Sequence, residues 1–412
     1  MMISQPDINI LRDLARRLAE IGNRSEQKEK AAMWTRHNRL ERVRPMVLFH
    51  MEEFCWQEVL PEESLATTDT FSRDYEKQLR RRLYQAEYLK DDRVVEPIIE
   101  YPTVIHDTGF GVPIETVAPD QNTGAVHYQP VIQTEADIEL IKTPEIKVDW
   151  DATERNYQQV RDIFGDILTP VSFGCSHPIA SFIDWFSMMR GIEQVYIDII
   201  ERPQWVHEVM ARMTTAWLNR LAQLENHHVL RLNNNSNEIG SGGLGFIEEL
   251  PQKDYNPERV RPIDMWGFAT SQVFADVSPM MHEEFALQYE RQYLSQFGLN
   301  CYGCCEPLHH KMQYVKKIPR LRRVSMSQWV DREKAAVELQ NQYIYSFKPT
   351  GNHLSETVWD PDAVRVDLQD VLKKTQGCIV ELVNNSVSTC RHEPNRIWEW
   401  VDIAMDLAEQ YA

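Results

Sequence analysis

The 412-residue chain has no apolar run close to the roughly 20 residues that a membrane-spanning helix needs. It also lacks an excess of basic residues, since 44 Lys and Arg are outnumbered by 62 Asp and Glu, which gives a formal net charge of −18. A protein that binds nucleic acid generally needs a basic surface to displace counterions from phosphate. We therefore predict that neither a membrane nor a nucleic acid is a partner.

Residues 1–13 lack the charged start, apolar stretch and small-residue cleavage site of a secretory signal. This absence predicts a cytoplasmic location. The seven cysteines form an odd set. In a reducing compartment they are expected to be thiols or metal ligands, not a disulfide framework.

Eight apolar segments alternate with amphipathic helical segments along the chain, which predicts a parallel sheet covered by helices. No Gly-x-Gly-x-x-Gly follows the first strand, which weakens a dinucleotide-binding fold. We predict an α/β protein, a (β/α)8 TIM barrel over residues 44–412 with a helical N-terminal extension over residues 1–43. The extension is expected to dock on the barrel or on a second subunit. The predicted strands lie at 46–49, 94–105, 167–173, 229–232, 299–302, 323–326, 343–347 and 379–383.

Polar residues follow these predicted strands, and the active site of a TIM barrel lies at the carboxyl ends of its strands. A single His in such a place is more often a hydrogen-bonded structural residue than a ligand. The glycine-rich segment 240–245 is predicted to be a mobile lid, because no Lys-Ser/Thr follows its glycines as in a phosphate-binding loop. The residues after the strands include His50, Glu53, His106, Asp107, His177, Cys304, Cys305, Glu306, Lys348, Asn385 and Cys390.

Three cysteines crowd one predicted strand end, at Cys301, Cys304 and Cys305, with Glu306 beside them. Thiolates completed by imidazole or carboxylate are a ligand set that Zn²⁺ accepts. Buried cysteines also act as small hydrophobic residues. Both interpretations stay open at this point.

Several motifs resemble the uroporphyrinogen decarboxylase superfamily, which includes cobalamin-linked methyltransferases. The resemblance extends from about Arg44 to the C-terminus and is strongest to an anaerobe-associated branch with the same long N-terminal extension, near the methyltransferases. It implies a TIM barrel that moves a methyl group between a corrinoid protein and a thiol or tetrahydrofolate-type acceptor. The motifs are Arg44-Pro45-Met46-Val47, Trp266-Gly267-Phe268 with Gln272, Val277-Ser278-Pro279, Tyr302-Gly303-Cys304-Cys305-Glu306-Pro307-Leu308, Ser346-Phe347-Lys348-Pro349, and Pro394 with Arg396, Trp398, Trp400 and Ala404.

Two departures from the superfamily pattern change what the resemblance implies. The decarboxylase has an arginine-rich stretch after its first strand, whereas this chain has His50-Met51-Glu52-Glu53, which would repel a polycarboxylate. Decarboxylation of a porphyrinogen is therefore not expected. The methyltransferases bind zinc through a His-x-Cys pair and a distant Cys, whereas the matching stretch here, from Asn300 to Cys305, contains no His.

The favoured prediction is methyl transfer assisted by zinc. The methyl donor is methylcobalamin carried by a corrinoid partner protein, and the acceptor is a small molecule. A homodimer is compatible with this prediction. One alternative is a metal-free decarboxylase or lyase using acid–base chemistry, and another is a non-enzymatic barrel that binds a small ligand or cobalamin. The predicted catalytic residues are Glu306, His50 and His177. The predicted substrate-binding residues are Glu53, His106, Asp107, Trp266, Lys348 and Asn385, and the predicted metal ligands are Cys304, Cys305 and Cys390.

Overall fold

The computed structural model describes residues 3–117 and 127–412. Its main element is a parallel sheet of seven strands in the order β1-β13-β12-β11-β10-β9-β8. The strands are β1 (Met46–Phe49), β2 (Ile98–Pro102), β3 (Val104–Asp107), β4 (Glu115–Val117), β5 (His127–Gln129), β6 (Ile146–Asp149), β7 (Thr169–Phe173), β8 (Ile179–Ala180), β9 (Trp266–Ala269), β10 (Leu299–Tyr302), β11 (Leu321–Met326), β12 (Ile344–Phe347) and β13 (Ile379–Asn384).

Helices follow most of the parallel strands, as an α/β fold requires. Within the described ranges none is both long and apolar enough to cross a bilayer. The helices are α1 (Gln5–Gly22), α2 (Ser25–Asn38), α3 (Glu53–Val59), α4 (Thr70–Tyr88), α5 (Trp150–Phe164), α6 (Phe182–Arg190), α7 (Ile192–Glu201), α8 (Pro203–Asn226), α9 (Pro279–His282), α10 (Gln288–Leu294), α11 (Met312–Val315), α12 (Arg332–Leu339), α13 (Asn352–Ser355), α14 (Pro361–Lys374) and α15 (Asn395–Gln410).

The parallel α/β arrangement is confirmed, but a continuous ladder around a barrel is not found in the described residues. A second parallel pair, β2 with β7, is separate from the main sheet. The segment 229–232, predicted as a full strand, makes one isolated bridge from Leu230 to Cys175. At the other edge, the amides of Val47 and Phe49 donate to the carboxylates of Asp92 and Asp91, at 2.7 and 3.0 Å. Side chains thus take the place of a neighbouring strand along β1.

Two further differences from the predicted strands are found. The predicted second strand, 94–105, is two elements, because the chain turns after Pro102 and β3 pairs antiparallel with β6. The sheet also contains β9, which lies between β8 and β10 and was not predicted as a strand.

The sheet has an inner and an outer face, because side chains alternate along each strand. Arg323 and Glu381 lie on the inner face, where Arg323 Nε is 3.1 Å from Glu381 Oε1. The outer face is covered by helices, as the contact between the rings of Phe49 and Trp400 shows, with centroids 5.2 Å apart.

The glycine-rich segment 240–245 is packed against the inner face, so the prediction of a mobile lid is wrong. The Gly243 amide donates to Glu381 Oε1 at 2.7 Å, and Arg323 donates to the Gly243 carbonyl at 3.0 Å. A Cβ on Gly243 would lie 2.4 Å from the ring of Trp34, which is fully buried. Only glycine leaves room for these contacts.

Both helices of the N-terminal extension contact the rest of the chain. Buried leucines of α1, such as Leu11 and Leu18, pack with Leu79 of α4 and Val160 of α5. From α2, His37 Nε2 lies 3.3 Å from Glu381 Oε2. We call the group formed by His37, Gly243, Arg323 and Glu381 the floor network. The domain boundary at residue 43 stays a prediction.

Candidate active site

Reactive side chains gather on the inner face at the carboxyl ends of β1, β10 and β12. His50 directly follows β1, Cys304 lies two residues after β10, and Lys348 directly follows β12. Parallel strands end at the same edge of a sheet, so these positions are brought together although they are far apart in sequence. The floor network lies beneath them, on the same face.

His50 is held by a carboxylate that the sequence analysis missed. Its Nδ1 lies 3.2 Å from Glu238 Oε1, and Arg93 lies 3.5 Å from the same oxygen. Nδ1 also lies 3.4 Å from an amino group of Arg93. In the tautomer in which Nδ1–H donates to Glu238, the other ring nitrogen, Nε2, carries the free lone pair. This Nε2 is buried and has no hydrogen-bond partner among the described residues. The arrangement is that of a base oriented by a carboxylate.

Burial sets the charge state of this group. It lowers the pKa of His50 to about 4, so the imidazole is neutral near pH 7. Burial opposes ionisation of Glu238, but the neighbouring His50 and Arg93 outweigh it and lower the pKa of the carboxyl. His177 is a neighbour of this group. Burial lowers the pKa of His177, and the charge of Glu238 raises it by a smaller amount. Its Nδ1 lies 2.8 Å from Ser176 Oγ.

Cys304 and Cys305 form a pair of adjacent thiols at the mouth of the site. Their sulfur atoms are 3.6 Å apart, with Cys304 half-buried and Cys305 exposed. The hydrogen bond from Cys305 and the charge of Lys348 lower the pKa of Cys304 to about 7, against the effect of burial. Near neutral pH about half of Cys304 is therefore thiolate, the form that acts as a nucleophile.

Gly303 makes the turn that brings these cysteines to the mouth. Its φ of +90° is in the region that favours glycine, and a Cβ there would lie 2.5 Å from the Ser325 carbonyl oxygen. Ser241 donates to the Gly303 carbonyl at 3.0 Å, which ties this turn to the glycine-rich segment.

Glu306 was predicted to be catalytic, but its carboxylate positions the backbone. It is fully buried, and Oε1 accepts hydrogen bonds from the Thr270 hydroxyl and the Ser271 amide, both at 2.8 Å. Oε2 accepts the amide of Cys304 at 2.6 Å. With both oxygens used, Glu306 fixes the loop that carries Cys304.

Cys390 is held apart from the other two predicted metal ligands. Its Sγ lies 3.2 Å from Glu58 Oε2, and it also interacts with Cys55 of α3. The described part of the chain contains no group of three or more His, Cys, Asp or Glu residues that could hold a metal. The predicted zinc ligand set is therefore not assembled, and we derive no step through a metal.

Three of the predicted substrate-binding residues lie in other surroundings. Glu53 is on α3, where it pairs with Lys77 and Arg81 of α4. Asp107 belongs to β3 and pairs with Arg220 at 2.6 Å, and His106 precedes it on the same strand. Because β3 pairs with β6 and not with the main sheet, His106 and Asp107 are not brought to the cluster.

The other three predicted binding residues are Lys348, which belongs to the cluster, and Trp266 and Asn385, which lie in or near the inner face. Trp266 opens β9, at the opposite end from the candidate site, and its indole N–H donates to the Gly245 carbonyl at 3.0 Å. It is a packing residue of the buried core. Asn385 directly follows β13 and is half-buried, and alternation places it on the same face as Glu381.

A cavity of about 690 Å³ lies on the side of the Glu238 segment, and none of His50, Glu238, Cys304 and Lys348 lines it. Its lining includes Ser176 and Asn237, the sequence neighbours of His177 and Glu238. It also includes Glu96 and Glu100, whose segment before and within β2 forms one wall. A cavity of this volume accommodates a small molecule.

Comparison with known proteins gives similarity to solved structures only, and at a low level. No family model matches the chain, and no curated protein matches it. A methyltransferase from Methanosarcina mazei is similar at 10% identity over 93% of this chain and 98% of that chain, with a TM-score of 0.48. Similarity at this level assigns neither a family nor a function. Membership of the uroporphyrinogen decarboxylase superfamily stays a prediction.

Proposed function

We propose that this protein is a methyltransferase in which the Cys304 thiolate captures a methyl group presented by a methylcorrinoid partner protein. The observation that supports it is a half-buried thiol at the mouth of the site, activated by the thiol of Cys305 and the charge of Lys348. Glu306 fixes its backbone by accepting the Cys304 amide. A soft, ionised sulfur at a fixed position is a suitable nucleophile for a methyl carbon.

In this reaction the thiolate supplies the electron pair of the new carbon–sulfur bond. The methyl group moves as a formal methyl cation, and the donor keeps the electron pair of the bond that breaks. The second substrate is then a small acceptor of the thiol or tetrahydrofolate type. In the tautomer whose Nδ1–H faces Glu238, His50 Nε2 takes the proton of the acceptor. The acceptor then attacks the methyl carbon, the bond from that carbon to Cys304 Sγ breaks, and Cys304 keeps the electron pair and is a thiolate again.

The experiment is anaerobic incubation of the full chain with free methylcobalamin, followed by peptide mass spectrometry and absorbance spectroscopy. We expect a methyl group on Cys304, appearing together with the spectrum of the reduced corrinoid. Cys304→Ser should abolish both signals, whereas Cys378→Ser, which changes a half-buried cysteine outside the cluster, should leave them unchanged. Unmodified Cys304 after long incubation, at a pH above 8 and with the fold intact, would refute the proposal.

A second candidate function is favoured by the Glu238–His50 pair. A neutral imidazole whose Nδ1 contacts a carboxylate and whose Nε2 has no partner is suited to abstract a proton in a metal-free lyase or decarboxylase. In that case His50→Gln and Glu238→Gln would abolish turnover of the substrate, while Cys304→Ser would leave it intact. Binding of small molecules without any turnover would instead favour a ligand-binding barrel.

A further inference from the structure

Cys304 and Cys305, which we call the thiol pair, are placed to react with each other. Their sulfur atoms are 3.6 Å apart, and Cys305 is exposed while Cys304 is half-buried. Methyl capture needs one thiol as the nucleophile and uses the second only as a hydrogen-bond donor. A serine hydroxyl can also donate that hydrogen bond, so methyl capture does not explain why the second group is a thiol.

The other cysteines are less accessible than the thiol pair. All seven cysteines lie in the described residues, and Cys305 is the one that is exposed. Cys301 is fully buried, and the Sγ atom of the buried Cys390 lies 3.2 Å from the carboxylate of Glu58. A small oxidant that arrives from solvent therefore meets the thiol pair first.

The peptide unit between the two cysteines is not held by hydrogen bonds. Adjacent Cα atoms are about 3.8 Å apart, which is shorter than the separation of about 4.4–6.8 Å in ordinary disulfides. A disulfide between neighbours therefore requires the intervening peptide to turn. Among the described residues, neither the Cys304 carbonyl nor the Cys305 amide makes a hydrogen bond, so this turn breaks none.

The chain on both sides of this peptide is fixed. Glu306 accepts the Cys304 amide at 2.6 Å, and Gly303 makes the preceding turn with a φ of +90°. After the thiol pair, the Glu306 carbonyl accepts the Ser327 amide at 3.3 Å. These fixed ends keep the sulfur atoms close together in the reduced protein, and they oppose the turn that closes the ring. A disulfide closed against such resistance is easily reduced, which is typical of regulatory disulfides.

We propose that Cys304 and Cys305 form a reversible disulfide when a hydroperoxide reaches the site. The Cys304 thiolate attacks one oxygen of hydrogen peroxide, the O–O bond breaks, and the departing hydroxide takes up a proton to become water. Cys304 is thereby oxidised to a sulfenic acid, and the peroxide is reduced. The Cys305 sulfur then attacks the sulfenic sulfur, and its proton leaves with the hydroxyl group as a second water. Two molecules of a small thiol reverse the reaction by exchange and are themselves joined in a disulfide.

The disulfide gives the site an inactive state that protects its nucleophile. While it is bonded to Cys305, the Cys304 sulfur accepts neither a methyl group nor an alkylating reagent. It also does not advance to a sulfinic acid, a product that small thiols do not reduce. This inference does not rest on methyl capture, because the oxidation needs only the two thiols and the peroxide.

The experiment treats the reduced full chain with a few equivalents of hydrogen peroxide, in the absence of any corrinoid. Free thiols are then blocked with iodoacetamide, and chymotryptic peptides are analysed by mass spectrometry without reduction. Cleavage after Tyr302 separates Cys301 from the thiol pair. We expect the peptide with the thiol pair to lose two hydrogen atoms and to carry no label, and dithiothreitol to restore both thiols. A labelled Cys305 beside an oxidised Cys304 would overturn the inference, and so would a disulfide from either residue to another cysteine.

A variant tests whether the second thiol protects the first. Cys305→Ser keeps a hydrogen-bond donor but forms no disulfide, so excess peroxide should convert its Cys304 to sulfinic acid. After dithiothreitol, wild type should regain nearly all iodoacetamide labelling of Cys304, whereas Cys305→Ser should lose most of it permanently. Cys378→Ser is the matched control and should behave as wild type, since it changes a half-buried cysteine outside the cluster. Melting temperatures verify that each variant is folded, and equal permanent loss in wild type and Cys305→Ser would refute protection by Cys305.

Failure of the proposed function would look different from failure of this inference. If methylcobalamin leaves Cys304 unmodified while peroxide still joins the two sulfurs, methyl capture is refuted and the disulfide stands. If the reduced protein is methylated on Cys304 but peroxide leaves both thiols unjoined, the disulfide is refuted and methyl capture stands.

Discussion

Alkylation of Cys304 tests directly how the site activates its thiol. An ordinary cysteine thiol has a pKa of 9.0, whereas the pKa of Cys304 is lowered to about 7. At pH 7 a thiol with a pKa of about 7 is about half ionised, whereas a thiol with a pKa of 9 is about 1% ionised, a difference of about fiftyfold. A less basic thiolate is also a weaker nucleophile, by about six- to tenfold for this difference. The net expectation is alkylation about five- to eightfold faster than that of an ordinary exposed cysteine at pH 7.

Iodoacetamide labelling from pH 5 to pH 10 measures this, with fragment ions used to distinguish Cys304 from Cys305. The rate should rise with pH, with a midpoint near 7, because only the thiolate reacts. Cys305→Ala should move the midpoint upward, since it removes the hydrogen-bond donor, and Cys305→Ser should move it less because its hydroxyl can still donate. Cys378 serves as an internal comparison, because burial raises its pKa to about 11.

A midpoint near 9 in the wild-type protein would refute this reasoning. So would a midpoint near 7 that neither Cys305→Ala nor Lys348→Met alters, since these two residues are the stated causes.

Three further predictions concern stability. Gly243→Ala should lower the free energy of unfolding, measured with urea, by about 1–3 kcal/mol, because the added Cβ overlaps Trp34. Gly377→Ala is the control for backbone strain alone, because a Cβ at Gly377 meets nothing within 4 Å. A loss of stability at Gly243 that is equal to or smaller than that at Gly377 would contradict the packing of the floor network. The low pKa of His50 means that the unfolded chain binds a proton between pH 6.5 and 4 that the folded chain does not. Stability should therefore fall by about 3 kcal/mol as pH decreases through this range, and His50→Gln should reduce that fall, seen as a flatter melting temperature against pH. Removing residues 1–24 should lower the melting temperature, because α1 covers a buried apolar cluster on α4 and α5. An unchanged melting temperature would show that α1 adds no stability.

The parallel α/β fold could be predicted because apolar runs of strand length carry a strong signal. β13 and β12 are fully buried runs of six and four residues. The weaker elements escaped prediction for physical reasons. β9 is short and contains Gly267, which has no side chain to contribute to an apolar pattern. The edge of β1 is completed by the carboxylates of Asp91 and Asp92, which no strand pattern records.

The candidate site could be predicted only where a residue directly follows a buried strand. His50, Cys304 and Lys348 were found in this way. Glu238 was missed, because it lies in a loop between asparagines and glycines, where its contact with His50 is set by tertiary packing. The available signal for Glu238 was its position as an acidic residue just before the glycine-rich segment 240–245.

The three predicted metal ligands are not brought together, for a related reason. Cys390 follows β13 as Cys304 follows β10, so both were expected at one site. The loop after β13 instead carries Cys390 to Glu58 on α3, a direction that strand order does not specify.

The floor network also sets an order of events during synthesis of the chain. His37 and its partner Glu381 are 344 residues apart in sequence. At about 5–20 residues per second, a ribosome needs about 20–70 s to make the intervening chain. During that interval Trp34 has been made but lacks β13, one of the strands that bury it, and the glycine-rich segment lacks β13 once residues 240–245 have been made. Such long-range closure is slow and exposes apolar surface, so this protein is expected to depend on chaperones while it is being translated.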